Sequence, residues 1–210
     1  DMSEDHELMR AFKHNEDVHE HTARLIFKTK TVSSEQRKVA KTINFGVVYG
    51  QTPYGLSQTL KISPGEAKAF IDAYFETYSG VKSFLHSLIE EARRNGFVTT
   101  RLGRRRFIPE INSQNRMRRE MAERTAINTP IQGSAADMIK LAMLSTYQRL
   151  VREDLKSKIL LQVHDELVLE VPESEEDSAH KILKEEMEGA MSLKVPLKVD
   201  MGWGRNWREC

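Results

Sequence analysis

The sequence predicts an α+β fold, mostly helical, with its strands confined to hairpins, and three observations carry that expectation. Apolar residues recur at three- and four-residue spacing over most of the 210 residues, the period of an amphipathic helix. Helix punctuation is explicit: Ser63-Pro64-Gly65-Glu66 combines a cap, a proline for the first turn and a returning carboxylate, and Asn95-Gly96 is a stop pair. Two strand–turn–strand patterns stand apart, Phe97–Ile108 around Gly103 and Lys158–Val171 around His164-Asp165-Glu166.

Charged residues make up 30% of the chain and apolar ones 39%, an ordinary balance for one domain or two small ones with a buried core. A net charge of +1 announces no polyanionic partner, but the distribution says more. Arginines crowd the middle, from Arg93 to Arg124, while acids dominate from Asp165 to Glu188. That asymmetry fits a basic surface for an anionic polymer beside a separate acidic region. Cys210 is the single cysteine, so no internal disulfide forms and the pattern suits a reducing compartment. No apolar run reaches membrane-spanning length and the charged start is no signal peptide. The expectation is a cytoplasmic bacterial protein, or part of one, with no membrane partner.

In chain order, residues 3–14 read as a helix with Leu8, Met9 and Phe12 on one side, and Asp17 caps a second helix running through Ile26 and Phe27. Ser33, Ser34 and Glu35 start a third, predicted over 35–50, whose sequence from Arg37 is RKVAKTINFGVVYG. Arg37, Lys41, Phe45 and Tyr49 recur every four residues and form one slightly drifting stripe. Two cations followed by two rings suit a polyphosphate at one end and a sugar or base at the other. The same pattern also describes an ordinary amphipathic helix with core rings and solvated cations. Gly46 and Gly50 each remove a side chain beside a ring, where a base or backbone can approach; Gly50 alternatively stops the helix.

The helix that Ser63 caps runs through Phe70 and Tyr74 to a break near Ser79-Gly80, and the next ends at Asn95-Gly96. Both read as scaffold. The Phe97–Ile108 hairpin carries Arg101 and Arg104 to Arg106 at its bend, either solvated or set against a nucleic-acid backbone in a salt-sensitive, sequence-independent contact. A long helical pattern spans Arg116 to Leu150, open to interruption near Thr129-Pro130. Within it Arg124, Asn128 and Gln132 share a face of donors suited to minor-groove acceptors, which sense pairing geometry without reading sequence. In Lys158–Val171 two apolar runs read as buried strands, with Asp165 and Glu166 at the bend between them. Mg²⁺ typically takes one or two such carboxylates together with substrate phosphates. Ser174 is read as the cap of a helix to Ala190, Val195–Met201 as a strand, and Trp203–Trp207 as a short tail. The order fits a mixed sheet backed by helices.

The spacing Arg37-x3-Lys41-x3-Phe45-Gly46-x2-Tyr49-Gly50 resembles the nucleotide-binding helix of the family A DNA polymerases, the relatives of bacterial DNA polymerase I. Asp17-Val18-His19-x2-Thr22-Ala23 is similar to the segment that precedes that helix, and Arg124 to Asp137, RTAINTPIQGSAAD, to the corresponding later stretch. Gln162-Val163-His164-Asp165-Glu166 resembles the family's second catalytic motif. The resemblance covers practically the whole chain and implies fingers over 1–115, including the nucleotide-binding helix 35–50, and the later part of the palm over 116–210.

It further implies template-directed addition of deoxynucleotides to a primer 3′-end with two Mg²⁺ ions. His19, Arg37 and Lys41 would hold the triphosphate, Lys41 in addition protonating the departing pyrophosphate. Phe45 would pack on the sugar and Tyr49 border the templating base. Arg124, Asn128, Gln132 and His164 would contact DNA. Asp165 would be a metal ligand, and Glu166 a weaker one. The implied partners are primer-template DNA and deoxynucleoside triphosphates, and the intact protein would be a monomer in the bacterial cytoplasm, associated with the nucleoid. Closure of the fingers would couple correct fit to chemistry.

One departure bears on activity. The family's first catalytic motif, Asp-Tyr-Ser-Gln-x-Glu-Leu-Arg, finds no match. Asp1-Met2-Ser3 is set aside because Asp5 to Ala23 already matches the segment downstream of that motif, Glu7-Leu8 falls one position late, and Asp1 lies too close to Arg37. The chain is therefore expected to be a piece of a polymerase, inactive alone. The competing class is a non-catalytic nucleic-acid-binding module derived from the same fold, against which the presence of Arg37, Lys41, Asp165 and Glu166 argues. A purely structural helical protein leaves the residue coincidences unexplained.

Overall fold

The structure, a computed structural model, describes residues 1–210. The chain divides into two compact units, Asp1–Gln132 and Gly133–Cys210.

Unit 1 begins with α1 (His6–Lys13), α2 (Val18–Phe27) and α3 (Ser34–Val48). Each starts where a side chain satisfies an orphan amide. Asp5 accepts from Leu8 N, Asp17 from His19 N and Glu20 N, and Ser33 forms a reciprocal capping box with Gln36. Next come α4 (Pro53–Leu60), α5 (Pro64–Thr77) and α6 (Ser79–Asn95). The Ser63–Glu66 box forms as its spelling predicts, and Gly96, at φ +75°, ends α6. Helix α4 was not anticipated from the sequence. It is short and holds Gly55 near its start, but Thr52 caps it, Pro53 opens it and Leu56 is fully buried.

A core of Ile43, Val47, Leu56, Tyr74, Tyr78, Val81, Leu85 and Ile127 gathers these helices. Full burial of Ile43 or Leu56 is worth roughly 1.5–3 kcal/mol apiece. Asp5 is buried and its second oxygen accepts from Gly80 N at 2.9 Å. It therefore caps α6 as well as α1, which matters because Tyr78, at the N-cap of α6, offers no side-chain bond. The hairpin β1 (Phe97–Thr99) and β2 (Arg105–Phe107) pairs antiparallel around Gly103, at φ +80°.

Helix α7 (Arg116–Arg152) runs without a break across the unit boundary, with Pro130 inside it. The interruption left open near Thr129-Pro130 is resolved as a continuous helix. Pro130 removes one amide donor, yet it is fully buried, and Thr129 Oγ1 donates to the Thr125 carbonyl at 2.7 Å. Packing holds the turn that the missing bond would have held.

Unit 2 contains the rest of α7, the hairpin β3 (Lys158–Val163) and β4 (Glu166–Glu170), a 3₁₀ turn (Glu173–Glu175) and α8 (Glu176–Glu188). Arg149 joins α7 to α8 through Glu185 and Glu186, at 2.6 and 3.1 Å. Three expectations fail here. The sheets are two separate antiparallel pairs, so no mixed sheet forms. Val195–Met201 alternates as a strand should but pairs with nothing, and Val199 N donates instead to Glu188 Oε1 at 3.3 Å. Nor does Ser174 cap α8: the 3₁₀ turn intervenes, and the Glu175 carboxylate is already taken by Lys156 N and Ser157 N, both at 2.9 Å. Strand β3 is also more open than a buried strand, with Leu160 and Leu161 exposed. The fold class nonetheless stands as expected, α+β and mostly helical.

Candidate functional site

In unit 1 the predicted stripe is real and faces outward. Arg37, Lys41 and Phe45 lie on α3 and Tyr49 at its C-cap, all exposed, whereas Ala40, Ile43, Asn44 and Val47 face inward. Exposure at 47% for Phe45 sets aside the ordinary-core reading of that ring. Phe45 and Tyr49 stack with centroids 6.2 Å apart at 24°. Beside them an open cleft of about 610 Å³ is lined by Lys38, Lys41, Thr42, Phe45, Gly46, Tyr49 and Gln51. Cations and flat apolar surface therefore share one concavity, the chemistry an anionic ligand with a ring system requires.

His19 joins this face from α2. Its ring lies 5.8 Å from Phe45, and its Nδ1 is 2.8 Å from Asn44 Nδ2. Burial, above all, pushes the imidazole below its ordinary pKa; the Asp17 carboxylate opposes that, while Arg37 and Lys41 add to it. Asp17 does more than cap α2: its Oδ2 accepts from Arg37 Nε at 2.7 Å. Burial would raise the Asp17 carboxyl, but the Glu20 amide, the Arg37 guanidinium and the His19 amide together hold it below the usual range. One carboxylate thus ties the helix bearing His19 to the helix bearing Arg37.

Gly50 fits the helix-stop reading, and the atoms packed closest to it belong to side chains, not to a backbone. Its φ of +71° follows the end of α3, and a methyl there would come within 3.3 Å of Ile127 Cδ1 and 3.4 Å of Arg124 Cγ. The close approach is to α7, where the second predicted face lies. Arg124 and Gln132 are exposed and Asn128 half-buried, with its Oδ1 enclosed and unpartnered. In the basic hairpin, Arg105 lies over the Phe97 ring at 4.8 Å, and Phe107 is exposed. A methyl on Gly46 would meet the Gln51 side chain, most closely at Oε1 on its flexible end.

In unit 2 the turn between β3 and β4 is His164-Asp165, with His164 at φ +53° and Glu166 opening β4 opposite Val163. Gln162 Nε2 donates to the His164 carbonyl at 2.5 Å and closes the turn. His164, Asp165 and Glu166 are all exposed, and both carboxylates border a cleft of about 650 Å³. No three His, Cys, Asp or Glu side chains converge to hold a metal by themselves. The donor set fits a hard cation that takes one or two carboxylates and completes its shell from substrate oxygens, not a protein cage.

Sequence reasoning missed two residues of unit 1. Asp17 was read as a cap alone, and Asn44 was not singled out. The signal for Asn44 was there: a lone amide in the apolar row of α3, where polar side chains are costly unless partnered.

The family model described as DNA polymerase family A matches residues 1–209. The DNA polymerase I of Caldicellulosiruptor bescii is 51% identical over 210 residues, 99% of this chain and 25% of that protein. The DNA polymerase I of Bacillus subtilis is 49% identical over 208 residues, 98% of this chain and 24% of that protein. A solved structure described as the POL domain of Pol1 from M. smegmatis, in complex with DNA primer-template and dNTP, aligns with a TM-score of 0.94 at 45% identity. The alignment covers 98% of this chain and 37% of that one. The chain spans about a quarter of the length of the curated relatives it matches.

Proposed function

The chain belongs to DNA polymerase family A, and from that premise we propose that it supplies the fingers and the later palm of an enzyme adding deoxynucleotides to a primer 3′-end. The observation that carries the reading is the outward row of Arg37, Lys41, Phe45 and Tyr49, with His19 beside it and an open cleft along it. Arg37, Lys41 and His19 bind and orient the triphosphate. Lys41, a flexible ammonium on the cleft wall, also delivers a proton to the departing pyrophosphate. Phe45 lies against the sugar and Tyr49 against the templating base.

Arg124, Asn128 and Gln132 on α7 donate to minor-groove acceptors, the arginines of the basic hairpin contact the DNA backbone, and His164 also contacts DNA. Asp165, with Glu166 as the lesser ligand, would hold Mg²⁺. Two bound ions supply charge neutralisation and activation of the 3′-oxygen. The chain's own part is to fix the nucleotide's position and bring carboxylate charge to the metal side of the reacting phosphate. The polymerases named above are bacterial, and no helix here is long and apolar enough to cross a membrane.

By itself the segment should not extend a primer. Two-metal chemistry calls for carboxylates on both sides of the reacting phosphate, and Asp165 with Glu166 supplies only one of those sides. The test of the catalytic assignment is Asp165→Asn in the intact polymerase, read by single-turnover incorporation alongside primer-template affinity. A fall of roughly a hundredfold or more in the chemical rate at unchanged DNA affinity supports it. A near-normal rate removes Asp165 from the metal site.

A further inference from the structure

We propose that Asn44 is the positioning residue for His19, its buried amide fixing the imidazole tautomer so that Nε2–H is the donor offered to the triphosphate. The proposal rests on the reading of His19 as a triphosphate contact and deepens it. Asn44 is 7% exposed and sits among Ala40, Ile43 and Val47 on the inner face of α3. Its Nδ2 lies 2.8 Å from His19 Nδ1, while its Oδ1 is enclosed and has no hydrogen-bond partner. An unpaired buried acceptor is a cost to folding that an apolar residue of similar size would not carry. The amide's return is therefore to be sought in what its other end does, which is to engage the ring of His19.

An amide N–H donates only to a nitrogen that bears a lone pair. Nδ1 then carries no proton, and in a neutral imidazole the proton resides on Nε2. The opposite amide orientation would have opposite chemistry. Oδ1 would accept from Nδ1–H, and Nε2 would turn a lone pair toward phosphate oxygens that also carry lone pairs. The groups around the ring are Asp17, Arg37, Lys41, Phe45 and Asn44. Burial and the two cations favour the neutral ring, so tautomer, more than charge, decides what Nε2 presents. Asn44 also adjoins Phe45 in sequence, so the residue that sets the histidine lies next to the ring that faces the sugar.

The experiment uses the intact polymerase with ¹⁵N confined to histidine side chains, together with single-turnover incorporation. In the wild type the His19 Nδ1 resonance should be of the unprotonated type and Nε2 of the protonated type. Asn44→Asp keeps the shape but can only accept; at a pH high enough to keep the ring neutral in that variant, it should invert the tautomer and reduce kcat/KM for the nucleotide on the order of ten- to a hundredfold, through weaker nucleotide binding at unchanged primer-template affinity. In a His19→Gln background, where a side-chain amide donates whatever its neighbour does, Asn44→Asp should add less than about twofold. A wild-type ring protonated on Nδ1 overturns the proposal, and that spectrum decides even if the Asn44 variant fails to fold. An equal penalty in the His19→Gln background overturns it too, since the added charge would then act on Arg37 and Lys41 without the ring. Unchanged nucleotide affinity in His19→Ala would instead bring down the triphosphate reading itself, whatever tautomer the spectrum records.

Discussion

Replacing Asp17 separates two jobs that one carboxylate performs. Its Oδ1 accepts from His19 N at 2.9 Å and Glu20 N at 3.0 Å, and its Oδ2 holds Arg37 Nε at 2.7 Å. Asp17→Ala loses both. The cap is worth about 1 kcal/mol; the pair is worth a few tenths to about 1 kcal/mol, because both side chains are substantially exposed, 47% for Arg37 and 34% for Asp17. Asp17→Ala should therefore destabilise unit 1 by about 1.5–2 kcal/mol at pH 7. Asp17→Asn keeps a good cap and loses the charge, so its cost should be no more than about half of that.

The pH dependence has a definite sign. The folded Asp17 carboxyl titrates below its unfolded value, near 3.9 in a free chain. Its charge contribution is complete above the unfolded pKa and is lost as pH falls through the folded one. Urea unfolding of wild type, Asp17→Asn and Asp17→Ala between neutral and strongly acid pH measures this. The gap between wild type and Asp17→Asn should stay level down to about pH 5, close in acid and shrink in 1 M salt. The gap between the two variants should persist. An Asp17→Asn protein as unstable as Asp17→Ala at pH 7, or a wild-type advantage that survives in strong acid, would refute this division of roles.

Asp5→Ala removes a buried carboxylate that caps two helices and should cost about 3 kcal/mol, seen as a lower urea midpoint at unchanged slope. Gly80→Ala should be disruptive through the same contact, because its methyl would lie 2.8 Å from Asp5 Cα; a Gly80→Ala protein of wild-type stability would contradict the close approach. Phe45→Tyr in the intact polymerase should relax discrimination against dideoxynucleotides with little change for normal ones, since a phenol can replace the hydrogen-bonding group lost with the 3′-hydroxyl. An unchanged ratio of the two incorporation efficiencies counts against placing Phe45 at the sugar.

What the sequence made legible was local. The caps at Asp17, Ser33 and Ser63, the stop at Gly96 and both hairpin turns depend on residues within a few positions of one another, and all appear where expected. The outward row on α3 was likewise readable, because its four-residue period is a property of one helix. What escaped was decided at a distance. Val195–Met201 has a strand's alternation, but a strand exists only when another strand pairs with it. Ser174 has a cap's chemistry, yet Glu175 is drawn to the amides of Lys156 and Ser157, and the chain enters α8 through a 3₁₀ turn. Pro130 has a breaker's chemistry and is overruled by burial. Asp17–Arg37 and Asn44–His19 join positions 20 and 25 residues apart, and no spacing rule for a single helix reveals them.

The most direct test of the account sets Lys41→Ala against Gln132→Ala in single-turnover incorporation by the intact polymerase, with nucleotide and primer-template affinities measured separately. Lys41 lines the cleft along α3, and Gln132 lies exposed on α7. Lys41→Ala should weaken nucleotide binding and slow the chemical step while leaving primer-template affinity intact. Gln132→Ala should act chiefly on primer-template engagement and on extension past mismatches. Equal effects of the two on nucleotide affinity, or a Lys41→Ala enzyme that binds and incorporates nucleotide normally, would contradict the placement of the triphosphate on α3.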